Sequence, residues 1–189
     1  MTQPEAYQKL TSLVKTPNLI KHHLACEAIM IDLCKRLVPN TDGPTLEKWG
    51  IVGLLHDADY ELTKTDPTQH TKVLEQKIGK DLPPDVLYAI KAHNYKETKS
   101  EPKSLMDWAM YACDELSGLI IASALVTPER KLSKLTPDFI LKRFNEKSFA
   151  KGADREQIKT CETELQIPLN EFVAISLIAM QKIAPKLSL

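Results

Sequence analysis

The chain has 189 residues, 43% of them hydrophobic, which is the size of one domain with enough apolar sequence for a core. Its 25 Lys and Arg residues balance 25 Asp and Glu residues, and a net charge of zero argues against a dedicated nucleic-acid binder, which carries a basic excess. No uninterrupted apolar run reaches bilayer-spanning length, and Met1 to Lys15 lacks the features of a signal peptide, so the expected location is cytoplasmic, without membrane contact.

In chain order, residues 3–14 read as a first helix. Thr16-Pro17 then supplies a cap and a first-turn proline for a helix over Asn18 to Leu37, with Ile20, Leu24, Ala28 and Ile31 expected to face the core. After a Pro39–Pro44 turn, Thr45 begins a third helix that buries Leu46, Trp49, Val52, Leu54 and Leu55 and ends near His56-Asp57. Asp66-Pro67-Thr68 is read as the cap of a fourth, carrying Val73, Leu74 and Ile78 and stopping at Gly79. Pro83-Pro84-Asp85 opens a fifth, ending near His93-Asn94. Ser104 to Leu125 forms a long helix whose Leu105, Trp108, Ala109, Ala112, Leu116, Leu119 and Ile120 make a wide apolar stripe.

After Thr127-Pro128 the sequence turns polar and basic, with a short helix opened by Thr136-Pro137-Asp138. Two more helices follow over 154–165 and 169–184, the last apolar enough to pack back onto the bundle. No alternating run reads as a strand. The fold class expected is all-α, one domain over 1–189 with a C-terminal helical extension over about 129–189. The cysteines Cys26, Cys34, Cys113 and Cys161 form no Cys-x-x-Cys pair and read as small buried core residues.

The chemistry gathers on histidines and acids near helix ends. His56 and Asp57 leave the apolar run Ile51-Val52-Gly53-Leu54-Leu55 together, which is costly unless they are paired or bind a metal. Asp114 lies mid-helix between Ala112 and Leu116, where a buried acid needs a cation or a donor. His22, His70 and His93 come from other elements, and helical proteins build metal sites from inward-facing side chains of several helices. Each residue alone has a plain alternative: a core histidine, a surface helix start for His70, a solvent-facing acid for Asp114.

The order of these residues resembles the HD-domain superfamily of metal-dependent phosphohydrolases, with its H…HD…D signature and, in many members, two further histidines before the last Asp. The matching stretches are Lys21-His22-His23-Leu24-Ala25-Cys26, Gly53-Leu54-Leu55-His56-Asp57, Lys91-Ala92-His93-Asn94 and Ala112-Cys113-Asp114-Glu115-Leu116, within about residues 18–124. The Asp114-to-Ile120 run and Lys147-to-Gly152 look like a small prokaryotic subgroup of unassigned substrate. The resemblance implies an HD-type helical bundle and one ion on His22, His56, Asp57 and Asp114. It implies a second ion on His70 and His93 with Asp57 as bridge. His22, followed by apolar Cys26 one turn on, fits the first-histidine position better than His23, read as lying behind the ligands or exposed. No HD-GYP signature is present.

Such ligands suit divalent Mn, Fe, Co, Ni or Zn, and a bound ion lowers the pKa of its water into the neutral range. The expectation is a metal-dependent phosphohydrolase acting on a small phosphate ester, such as a nucleotide. Asp59 and Glu61, just after the His-Asp pair, could orient water or act as general acid or base, and with Asp57 they make up the candidate catalytic carboxylates; the plain alternative for both is a solvated loop acid. Lys91, near His93, and the Arg143, Lys147, Lys151, Arg155, Lys159 series read as surface charge. Two other readings stand beside the hydrolase: a di-iron oxygenase on the same fold, which needs both His70 and His93 as ligands, and a nucleotide-binding regulatory protein without turnover. Exposed apolar residues on the C-terminal helices would favour a homodimer or partner interface.

Overall fold

Caps and first-turn prolines set where the helices begin. In the computed structural model, which describes residues 1–189, Asp42 accepts from Thr45 N, Ser104 and Asp107 form a reciprocal capping box, Thr136 accepts from Phe139 N, and Asp154 accepts from Glu156 N and Gln157 N. The helices they start, with the rest, are α1 (Gln3–Leu13), α2 (Pro17–Leu37), α3 (Gly43–Leu55), α4 (Tyr60–Thr63), α5 (Lys72–Ile78), α6 (Pro84–His93), α7 (Tyr95–Thr98), α8 (Leu105–Leu125), α9 (Pro137–Asn145), α10 (Arg155–Thr163), α11 (Leu169–Lys182) and α12 (Ala184–Leu187). There is no strand, and no helix is long and apolar enough to cross a membrane. The chain is an all-α bundle.

Helix α2 is the centre, packed against α3, α8 and α11, with α6 against α3 and α8. One continuous set of buried apolar side chains runs from Ala6 on α1 to Leu187 on α12, so the C-terminal helices share the core of the others. Phe172, Val173, Leu177 and Met180 fasten α11 to it, while Ile178 on the same helix stays half exposed.

The closest backbone approach lies between α2 and α3. A Cβ on Gly53 would stand 2.6 Å from the carbonyl carbon and oxygen of Cys26, so only glycine lets these helices meet here. This contact sits one turn from both His22 and His56.

Three expectations need correction. The Ile20, Leu24, Ala28, Ile31 face of α2 is only partly buried; the fully buried face is Ala25, Cys26, Ile29, Met30 and Leu33, because α2 is flanked on several sides. That rotation turns His22 inward. The helix expected from Asp66 is split: Asp66 caps only a 3₁₀ turn, Pro67–Gln69, Thr71 takes a left-handed φ of 68°, and α5 begins after it. His70 sits at this break instead of on a helix face. Leu105, at the first position of α8, lies outside the packed face and is exposed.

Candidate metal centre

Five elements converge on one spot. His22 comes from the second turn of α2, His56 caps the C-terminus of α3, and Asp57 follows in the turn. His70 precedes the Thr71 break, His93 ends α6, and Asp114 projects from the middle of α8. His56 is fully buried and the others are largely so.

The donor atoms fall into two adjoining groups. In the first, His22 Nε2 lies 3.1 Å from His56 Nε2 and 3.1 Å from Asp114 Oδ1, and His56 Nε2 lies 3.4 Å from Asp114 Oδ1. In the second, His70 Nε2 and His93 Nε2 lie 3.2 Å apart and 3.0 and 3.2 Å from Asp57 Oδ1. Asp57 Oδ2 meanwhile stands 3.8 Å from His56 Nε2, so the two oxygens of one carboxylate face the two groups. Ligand atoms about 2.0–2.1 Å from a shared ion sit about 2.9–3.4 Å from one another in octahedral to tetrahedral arrangements. Both groups match that spacing.

The imidazole tautomers point the same way. His56 Nδ1 meets the carbonyl oxygen of Gly53 and His93 Nδ1 that of Ile90. A carbonyl only accepts, so both Nδ1 atoms carry the hydrogen and both Nε2 atoms present lone pairs. His70 Nδ1 donates to Asp59 Oδ1 at 2.8 Å. Ser117 Oγ spends its own hydrogen on the Asp114 carbonyl and accepts from His22 Nδ1 at 2.9 Å. With each Nδ1 hydrogen engaged elsewhere, four imidazoles aim their Nε2 atoms at carboxylate oxygens in a buried space, and only a cation or added protons on Nε2 can hold such a set together. The residues fit a metal ion, and either group could hold one.

The electrostatics agree. Burial raises the Asp57 carboxyl, but His56, His70 and His93 outweigh it and hold it well below the usual carboxylate range; burial is likewise outweighed at Asp114 by His22 and His56. Burial lowers His70, yet its bonds to Asp57 and Asp59 lift it to about 10. His22 is also raised well above its ordinary value, burial being overcome by Cys26 and Asp114. In the metal-free chain, protons on these two imidazoles take the part of cations.

All six sequence-predicted metal ligands, His22, His56, Asp57, His70, His93 and Asp114, are brought together. Of the carboxylates offered for acid–base work, Asp57 lies at the centre, whereas Asp59 and Glu61 hold other posts. Asp59 is fully buried with both oxygens committed, Oδ1 to His70 Nδ1 and Oδ2 to Leu74 N at 2.9 Å. It orients His70 and does not face the cluster. Glu61 accepts from Lys15 N and Thr16 N at 2.9 and 2.8 Å, closing the start of α2. Lys91 is paired with Glu75. His23, for which an exposed position was an alternative, is fully buried with neither ring nitrogen partnered, and burial with the neighbouring His56 and His22 lowers its pKa well below the ordinary value.

Sequence reasoning missed three groups. Cys26 Sγ lies 3.9 Å from His22 and joins the first donor group, its thiol pushed well up by burial. Ser117 sets the His22 tautomer. Arg155 donates to the carbonyl oxygens of Phe144, Phe149, Ala150 and Ala153, organising the turn between α9 and α10. Cys26 and Ser117 carried a faint signal, lying one turn from His22 and three residues from Asp114.

Two cavities flank the centre. One of about 290 Å³ opens on His22 and Asp114, under the 146–153 segment; one of about 160 Å³ opens on His70, beside Tyr60 and Asn94. No family model, no curated protein and no solved structure matches the chain. The helical bundle and its His/Asp cluster are compatible with an HD-domain fold.

Proposed function

We propose that the chain is a metal-dependent hydrolase of a phosphate ester, working with two divalent transition-metal ions. The observation that carries this reading is Asp57: its Oδ1 stands at ligand spacing from His70 and His93, and its Oδ2 turns toward the other donor group, 3.8 Å from His56 Nε2. His22, His56, Asp57 and Asp114 would hold one ion, with Cys26 beside it, and Asp57, His70 and His93 the other. Bound there, the ions would lower the pKa of a coordinated water and draw charge from the phosphoryl oxygens.

The chain's own residues do the positioning. The Gly53 and Ile90 carbonyls, Asp59 and Ser117 each hold a proton on an Nδ1, keeping every Nε2 free and each ring fixed. Asp59 and Glu61 have their oxygens committed, so neither moves a proton in this reading.

The test is elemental analysis of protein purified without chelators, alongside His70→Ala and Asp114→Ala and turnover of p-nitrophenyl phosphate. Two ions per chain, one of them lost in His70→Ala, with hydrolysis abolished by chelation and in Asp114→Ala, is the expected result. A chain that takes up no metal even on reconstitution overturns it. A di-iron oxygenase is the second reading, favoured by His70 and His93 both presenting Nε2 beside the shared Asp57. Iron content with dioxygen uptake and no ester hydrolysis would select it.

A further inference from the structure

The two cavities beside the metal centre are not equivalent. The larger exposes His22 and Asp114, the two most accessible of the six donor residues at 19% each. Its floor is α8, one turn beyond Asp114, where a Cβ on Gly118 would meet no atom within 4 Å. Open space therefore reaches the helix backbone itself. Its far wall is the segment between α9 and α10, with Ala150 at a left-handed φ of 42° and Gly152, where again a Cβ would meet nothing. Arg155 fixes this wall by its four carbonyl contacts, so it is built and not a chance gap between loops.

Only one charged side chain lines this cavity besides the two metal-site residues. Glu115 Oε2 accepts from Asp154 N at 3.0 Å, and its other oxygen has no partner within the chain. A carboxylate oxygen beside a site for phosphate repels an anion, so its partner in a bound substrate is a donor, and a hydroxyl on the organic part of the ester supplies one. The volume, about 290 Å³, lies at the small end of ligand pockets, which run from about 300 to 1,000 Å³. That suits a phosphorylated sugar or polyol.

We infer that the cavity between Gly118 and the 146–153 segment is the substrate pocket, that it takes a small hydroxylated phosphate ester of sugar-phosphate size, and that Glu115 selects it by accepting a hydroxyl. This rests on the hydrolase reading for its phosphate end, but the pocket is testable without turnover.

Two measurements on the metal-loaded chain test it. The first follows backbone amide NMR shifts of the zinc-loaded protein on titration with a non-hydrolysable phosphonate analogue of ribose 5-phosphate. The second compares hydrolysis of ribose 5-phosphate, ethyl phosphate and AMP by the wild type, Glu115→Gln and Gly118→Leu. The expected shifts centre on Gly118 and Gly152. In Glu115→Gln the amide oxygen stays on Asp154 N and the NH₂ faces the hydroxyl, so a neutral hydrogen bond replaces a charge-assisted one and the kcat/KM preference for ribose 5-phosphate over ethyl phosphate should fall by about 5-fold. Gly118→Leu should abolish the shifts with metal content unchanged. Shifts centred on Thr63 and Asn94 would overturn the pocket assignment and leave the hydrolase standing. AMP turned over as well as ribose 5-phosphate, or an unchanged preference in Glu115→Gln, would overturn the substrate class. Shifts at Gly118 without hydrolysis of any ester would support the pocket and remove the hydrolase reading instead, and no shifts anywhere would overturn the pocket.

Discussion

At the residue scale the centre depends on where single hydrogens sit. Asp59 shows this most clearly, because its second oxygen is claimed by Leu74 N. In Asp59→Asn the amide oxygen must stay on Leu74 N, which turns the NH₂ toward His70 Nδ1. That forces the hydrogen of His70 onto Nε2 and removes its lone pair from the second donor group. Affinity for the second ion should fall about 10–100-fold while the first is retained, read by metal titration of the variant. His23 makes the opposite case. It buries an imidazole with no partner, at a cost of about 1–3 kcal/mol. His23→Met keeps an apolar side chain of similar reach there, and thermal unfolding should show a Tm higher by a few degrees with metal content unchanged. A loss of bound metal in this variant would instead give His23 a part in the centre.

At the scale of elements, helix periodicity and caps were readable and helix orientation was only partly so. Ser104, Thr136, Asp154 and the prolines mark starts that the structure keeps. The buried face of α2 was misjudged because the 20, 24, 28, 31 stripe is apolar too, and burial by α3, α8 and α11 together decides which face wins. The role of Glu61 could not be read at all: its partners, Lys15 and Thr16, lie 45 or more residues earlier. The α2–α3 crossing gives a sharp prediction. A Cβ at Gly53 meets backbone, which cannot swing aside as a side chain can. Gly53→Ala should cost about 1–3 kcal/mol, lower Tm by about 2–4 °C for each of these, and weaken metal binding by parting His22 from His56. Calorimetry and metal titration on the one variant check both halves.

For the whole molecule, metal and proton compete for the same buried lone pairs. His70, raised to about 10 in the metal-free chain from about 6.5 unfolded, contributes stability that is complete below about pH 6.5 and is lost as pH rises through about 10. Asp57 and Asp114, lowered by their imidazole neighbours, contribute stability present above about pH 3.9 and lost as pH falls below it. His23, lowered by burial, costs stability increasingly as pH falls below about 6.5, where the unfolded chain takes up its proton. The metal-free chain should therefore melt highest near about pH 6.5 and lose stability on both sides. Loading must displace the protons on His22 and His70, so apparent metal affinity should rise with pH and weakly buffered samples should acidify on metal addition. At a free-metal concentration of about 100 times Kd, ligand linkage adds about 2.7 kcal/mol. Loss of one ion should then lower Tm by about 5–11 °C at a length of 189 residues, and chelation of both by about twice that.

The helical class, the order of the longer helices and the His56-Asp57 and Asp114 signals were legible in the linear sequence, while His22, His70 and His93 were added by the resemblance. Periodicity and capping are local, and a His-Asp pair leaving an apolar run, followed by an acid within an apolar helix, marks a buried polar site wherever the chain folds. What only the tertiary structure decided is how those residues are held. The Gly53–Cys26 approach brings two helices close enough for His22 and His56 to share a neighbour, and the Thr71 break turns His70 inward. Asp59 and Glu61, two residues apart, part to opposite tasks, one behind a histidine and one on a helix start. The physical reason is that a hydrogen-bond partner is chosen by distance in space, and these partners lie from 11 to 95 residues apart along the chain.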